Sequence, residues 1–136
     1  MSAEPFLDTN VLVYIFDQQS TEKAERARQL TRNKNWQTSW QVLQEFSNVA
    51  LHRFKTPMKE EDLDAYLKLV LWPRCSVFPN AELFSQALTI RARTQYRLYD
   101  SLIVASALVS GAEILYSEDL QHGRDLGGLT IQNPFL

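Results

Sequence analysis

The sequence predicts an α/β fold, a three-layer sandwich with a short central parallel β-sheet flanked by helices. Three observations carry this. Short stretches of strand character alternate with longer segments whose apolar residues recur at helical spacing, the pattern of repeated strand–helix–strand units. Most of those longer segments are apolar on one face only, so they cover a core. Finally, two of the predicted strands run directly into polar residues with an acid, Asp8 and Asp119. The carboxyl ends of parallel strands are where open α/β sheets bind their ligands.

Taken in order, residues 5–7 form a short buried strand, and Asp8 lies where the chain turns. From Asn10 the spacing is helical, with Val11, Tyr14 and Ile15 on one face. Residues 18–21 read as a turn, and Ser20 or Thr21 caps a polar helix reaching about Arg32. Asn33, Lys34 and Asn35 break it. Residues 36–39 make a second strand, followed by a helix over residues 40–53 with an apolar stripe at Val42, Phe46, Val49 and Ala50. Pro57 stops the chain before a helix over residues 59–71, with Leu63, Tyr66, Leu67 and Val70 on one face. Pro73 ends that helix, and residues 75–78 are the third strand. A long helix starts at Asn80 and reaches about Thr94, with Leu83, Phe84, Ala87, Leu88 and Arg91 at helical spacing. The helix over residues 100–110 is apolar almost all round and therefore buried, with Gly111 as its C-terminal cap. Residues 114–116 are a strand, and Gly127 and Gly128 turn the chain into a last strand over residues 129–131.

The chain of 136 residues is expected to form one domain, residues 1–136, burying roughly two-thirds of its unfolded surface. Hydrophobic residues make up 45% and charged residues 22%, a globular balance rather than a disordered one. A net charge of −2 supplies no overall basic field, so any nucleic-acid contact must come from local patches. Cys75 is the one cysteine, which excludes an internal disulfide and fits a reducing compartment. The first four residues carry no basic region of a secretory signal, and the apolar run over residues 102–109 is too short to span a bilayer. The expectation is a cytoplasmic protein with no membrane partner.

The chemistry lies in the acids. Asp8 and Asp119 stand in matching positions past their strands and face one crevice if those strands are neighbours. Glu45 borders the apolar stripe of its helix, where a carboxylate either pairs with an arginine, snorkels out from the stripe edge, or serves as a functional ligand. Asp8 and Asp100 each open a helix, and N-capping is the competing role for both. Clustered carboxylates repel, and a bound cation removes the conflict. Oxygen donors without histidine or cysteine partners suit Mg²⁺ or Mn²⁺ rather than zinc. Such an ion generates hydroxide from water and stabilises charge on a phosphodiester. Ser117 either orients a water or phosphate or simply occupies a turn. Arg97 before Asp100, and Arg124 after Asp119, are the candidate contacts to a phosphate backbone. Arg91, nearer an apolar stripe, is instead a candidate partner for a carboxylate. No glycine-rich phosphate loop or serine-nucleophile elbow is present.

Four stretches together resemble the PIN-domain family, and within it the VapC-type toxin ribonucleases of type II toxin–antitoxin pairs. They are Phe6-Leu7-Asp8-Thr9-Asn10-Val11-Leu12, Gln44-Glu45-Phe46, Tyr99-Asp100-Ser101-Leu102-Ile103-Val104-Ala105, and Tyr116-Ser117-Glu118-Asp119-Leu120-Gln121-His122-Gly123. The resemblance implies a Mg²⁺- or Mn²⁺-dependent endoribonuclease with an RNA substrate, frequent homodimers and a cognate antitoxin that blocks the site. Carried over, it makes Asp8, Glu45, Asp100 and Asp119 the catalytic residues and the metal ligands or their close shell. Asn10 and Ser117 become supporting polar groups. The hydroxyl-x-Asp pattern favours Asp119 over Glu118 as the residue facing the site. Two alternatives stay open: a metal-dependent phosphohydrolase with Asp8 as nucleophile, which usually wants an acid where Asn10 stands, and an inactive PIN-like module acting through a protein partner.

Overall fold

Phe6 and Leu7 are consecutive strand residues, so their side chains point to opposite faces of the sheet. Both are fully buried, which requires cover on both faces. The structure, a computed structural model, describes residues 3–32 and 35–136. In chain order the elements are β1 (Phe6–Leu7), α1 (Thr9–Tyr14), α2 (Thr21–Arg32), β2 (Thr38–Ser39), α3 (Trp40–His52), α4 (Glu60–Tyr66), β3 (Cys75–Val77), α5 (Ala81–Thr94), α6 (Leu98–Val109), β4 (Ile114–Tyr116), β5 (Asp125–Leu126) and β6 (Leu129–Gln132). The helix break expected at Asn33 and Lys34 lies outside the described residues.

β1 pairs in parallel with β4, Phe6 opposite Leu115 and Leu7 opposite Tyr116, and β4 pairs in parallel with β6. β2 and β3 form a parallel pair of their own. A parallel bridge between Phe6 and Gln37 lays the start of that pair against β1. Helices flank this parallel centre, as predicted. Its core joins the aliphatic Leu7, Leu43, Val104, Leu115, Leu129 and Ile131 to the aromatic Phe6, Trp36 and Phe46 in one buried cluster.

The helix ends follow local chemistry. Asp8 caps α1 by accepting from the Thr9 amide, Ser39 caps α3 through Val42, and Asn80 caps α5 through Leu83. Gly111, at φ +82°, closes α6 in the left-handed conformation that favours glycine.

Three expectations are corrected. α6 begins at Leu98, not Asp100, and Arg97 occupies the cap position. Asp100 therefore stands in the first helical turn, and its carboxylate is not spent on capping. β5, only two residues long, pairs antiparallel with β6 across Gly127 and Gly128. So short a strand leaves no periodic signal. The segment after α4 continues as a π-helical turn, Leu67–Leu71, then a 3₁₀ turn, Trp72–Arg74. Wider turns insert a residue into the helical repeat. The core face accordingly passes from Val70, which is exposed, to Leu71, which is fully buried.

Candidate active site

The strand pairing that the fold provides sets Asp8 and the turn after β4 side by side. The Asp8 amide donates to the Tyr116 carbonyl across the pair (3.0 Å), continuing the ladder one residue beyond β1. Asp8 is 6% exposed. Its Oδ1 accepts from the Thr9 amide (2.7 Å) and its Oδ2 from the Ser117 hydroxyl (2.8 Å). Capping and a place at the sheet end are thus the same position rather than rival roles. Burial pushes the Asp8 carboxyl up from 3.8 to about 7. The bonds from Ser117 and Thr9 oppose that rise, and the negative charges of Glu45 and Asp119 add to it.

Glu45 is half-buried on α3. Among the described residues neither an arginine nor a lysine pairs with it. Its Oε1 accepts from the Thr9 hydroxyl (2.6 Å) and its Oε2 from the Gln41 amide (3.3 Å). The same Gln41 amide donates to the Tyr99 carbonyl (3.1 Å), tying α3 to the start of α6 beside Asp100. Burial also raises the Asp100 carboxyl; the nearby Arg97 charge opposes this and the Asp119 charge reinforces it.

Asp119 is exposed, and its Oδ2 accepts from the Asn10 side-chain amide (3.1 Å). Asn10 also receives the Glu118 amide on its Oδ1 (3.2 Å) and lies 3.4 Å from the Ser117 hydroxyl. Glu118 has different partners. Its carboxylate takes the Tyr14 hydroxyl (2.6 Å) and the Lys23 ammonium (2.6 Å).

Four acids from four separate parts of the chain therefore share one end of the sheet, where Asp8 feels the charges of Glu45 and Asp119, and Asp100 that of Asp119. Among the described residues no three acidic, histidine or cysteine side chains close into a ligand cage. The donor chemistry still fits a hard divalent cation: carboxylates and amide or hydroxyl oxygens, with repulsion that a positive ion would relieve.

Of the basic residues, Arg97 is exposed at the head of α6. Arg124 donates to Gln121 Oε1 (2.5 Å), and its guanidinium lies 5.3 Å from the Tyr96 ring centroid. Arg91 is exposed, and among the described residues it makes no ion pair with a carboxylate. Sequence reasoning missed Thr9, Gln41, Tyr14 and Lys23. Thr9 was legible in principle, since it is a hydroxyl next to the strand-end acid. The other three come from elements whose neighbours only folding decides.

The family model for the PIN domain matches residues 6–124. The chain belongs to the PIN domain family. The matched span runs from β1 through Arg124 and includes all four acids. No curated protein matches the sequence significantly. Solved structures do resemble this PIN domain. A complex described as toxin–antitoxin from Klebsiella pneumoniae aligns with a TM-score of 0.69 and 16% identity over 96% of this chain and 98% of that one. VapC20 of Mycobacterium tuberculosis, described as a toxin cleaving the sarcin–ricin loop, gives 0.67 and 21% over 85% and 90%. The FitAcB protein of Neisseria gonorrhoeae gives 0.65 and 18% over 96% and 98%. At these identities the likeness is one of fold. No described helix is long and apolar enough to cross a membrane.

Proposed function

We propose that this PIN domain is a metal-dependent endoribonuclease, the toxin of a toxin–antitoxin pair. The observation that carries the proposal is the buried Asp8 carboxylate at the end of β1, held by Ser117 and within electrostatic reach of Glu45 and Asp119. A buried acid with acidic neighbours is costly unless a cation or a proton compensates it.

Asp8 and Asp100 would hold a Mg²⁺ or Mn²⁺ ion, with Glu45 and Asp119 completing the set. When bound, that ion supplies hydroxide at neutral pH and neutralises charge developing on the phosphodiester. The chain's own groups do the positioning. Ser117 and the Thr9 amide fix both Asp8 oxygens, the Thr9 hydroxyl fixes Glu45, and Asn10 fixes Asp119. Glu45 and Asp119 orient the attacking water. Arg97 and Arg124 draw the RNA backbone over the acids, as phosphate contacts do without reading sequence. Single-stranded or looped RNA suits such a site, because its backbone and bases are accessible.

An antitoxin protein and a second copy of this chain are the partners this function implies, in a cytoplasmic setting. Support comes from the likeness to toxin–antitoxin complexes and from the exposed apolar side chains Trp40, Phe78, Phe84 and Leu88, which a protein partner would cover.

The test is cleavage of mixed RNA by purified, partner-free protein with Mn²⁺, Mg²⁺ or chelator. Wild type should cut only with metal, and Asp8→Asn and Asp100→Asn should fall to background with unchanged circular dichroism. In the Asp8→Asn background, Arg97→Ala and Arg124→Ala should each flatten the salt dependence of RNA binding by a slope of roughly 0.7. Wild-type cleavage by both Asp variants overturns the assignment of the acids.

A further inference from the structure

The turn after β4 must present Asp119 and not Glu118 to the acidic end, although the two carboxylates are adjacent in sequence. Within the turn the Asp119 amide donates to the Ser117 hydroxyl (3.2 Å) and the Glu118 amide to Asn10 Oδ1 (3.2 Å), while the Asn10 side-chain amide donates to Asp119 Oδ2 (3.1 Å) and Ser117 to Asp8 (2.8 Å). The Glu118 side chain is held in a cluster of its own with Tyr14 and Lys23. Tyr14 donates its hydroxyl to one Glu118 oxygen and Lys23 its ammonium to the other, each at 2.6 Å. Lys23 also reaches the Tyr14 hydroxyl (3.2 Å) and lies 4.8 Å from the Tyr14 ring centroid and 5.8 Å from that of Phe135. The Tyr14 and Phe135 rings meet edge-on at 4.8 Å.

The geometry has a lever in it. Asn10 and Tyr14 are four residues apart on α1 and so lie on one face of the helix. Asn10 grips Asp119, and Tyr14 grips Glu118. α1 therefore holds two consecutive carboxylates through separate side chains, and Lys23 closes the grip on Glu118 from α2. A half-exposed ion pair adds little to stability, on the order of 0–1 kcal/mol. Its use here is directional. Released, Glu118 would compete with Asp119 for any cation at the acidic end, and the turn would lose its fixed orientation.

We propose that Tyr14 and Lys23 are positioning residues for Asp119: by holding the Glu118 carboxylate on the α1–α2 side, they fix the turn so that Asp119 stays among the acids. This rests on the reading of the acids as a metal site, and the experiment separates the two. The proteins are wild type, Tyr14→Phe, Lys23→Met, Lys23→Arg and Asp119→Asn. Tyr14→Phe keeps the ring packed on Phe135 and removes only the hydroxyl, so the fold should persist. The readouts are amide hydrogen exchange at Glu118 and Asp119 in metal-free protein, Mn²⁺ affinity by calorimetry, and the kcat and KM of RNA cleavage.

Tyr14→Phe and Lys23→Met should speed exchange at the two amides and weaken Mn²⁺ binding about tenfold, the loss seen when a group orienting a metal ligand is removed. They should lower kcat while leaving KM for RNA near wild type, and Lys23→Arg should restore all three readouts. A merely structural pair would shift the melting temperature without that split or that rescue. Wild-type exchange and Mn²⁺ affinity in both variants, with Asp119→Asn impaired, overturns the positioning role alone. Absence of Mn²⁺ binding by wild type, with Asp119→Asn no different, overturns the metal-site reading and this proposal with it.

Discussion

At the scale of single residues, Asp8 concentrates the conflict in this protein. It sits where a cap is wanted and where a ligand site is wanted, and burial makes its charge expensive. Folded Asp8 keeps its proton up to about pH 7, whereas its ordinary value is 3.8. Between those values the folded state binds more protons than the unfolded one, so this residue makes stability fall as pH rises. The cost is absent below the unfolded value and complete above the folded one. In chelator, Asp8→Asn should therefore be the more stable protein at pH 8, by up to about 4 kcal/mol, with the gap closing towards pH 4. Urea melts at a series of pH values check this. Added Mn²⁺ should narrow the gap by stabilising wild type, because an ion that binds only the folded state raises its stability by mass action. Equal stability of the two proteins at pH 8 would show that the Asp8 carboxylate carries no such burden.

At the scale of elements, the π-helical turn after α4 decides which side chain enters the core. A regular helix serves Val70 and Leu71 about equally from Leu63 and Leu67, and the sequence reading placed Val70 inward. The wider turn moves Leu71 to 0% exposure and leaves Val70 at 36% and Leu69 at 79%. Leu71→Ala should cost about 2–5 kcal/mol, the usual range for emptying a packed leucine site. Val70→Ala should stay within about 1 kcal/mol, as partly exposed positions do. Thermal or urea unfolding of the two variants measures the difference. Comparable losses in both would place the register of this turn elsewhere.

At the scale of the whole molecule, the surface carries an apolar signature that the fold itself does not need. Phe84 and Leu88 are four residues apart on α5 and half exposed, at 47% and 50%. Their spacing puts them on that helix's apolar face, but the core takes Leu83, Ala87 and Ile90. The stripe is wider than the core beneath it, which is what a helix shared between a core and a partner looks like. Wild type should sediment as a dimer at micromolar concentration, and a Phe84→Asp, Leu88→Asp double variant as a folded monomer. Monomeric wild type overturns this.

The sequence by itself determined the alternation of strands and helices, the caps at Asp8 and Gly111, and the four acids at the ends or edges of their elements. These are local matters: a period of apolar residues, a side-chain oxygen before a helix, a glycine able to take positive φ. The family was legible for the same reason, since its motifs are short and contiguous. Only the tertiary structure decided who answers each acid. Glu45 meets Thr9 from 36 residues away, and Asp8 meets Ser117 from 109 away. Only folding, too, turned Glu118 towards Tyr14 and Lys23 and left Asp119 to Asn10. Nothing in a local pattern encodes those pairings. They exist because parallel pairing of β1 with β4 brings two distant strand ends to one place, and because helices packed there have only certain side chains within reach.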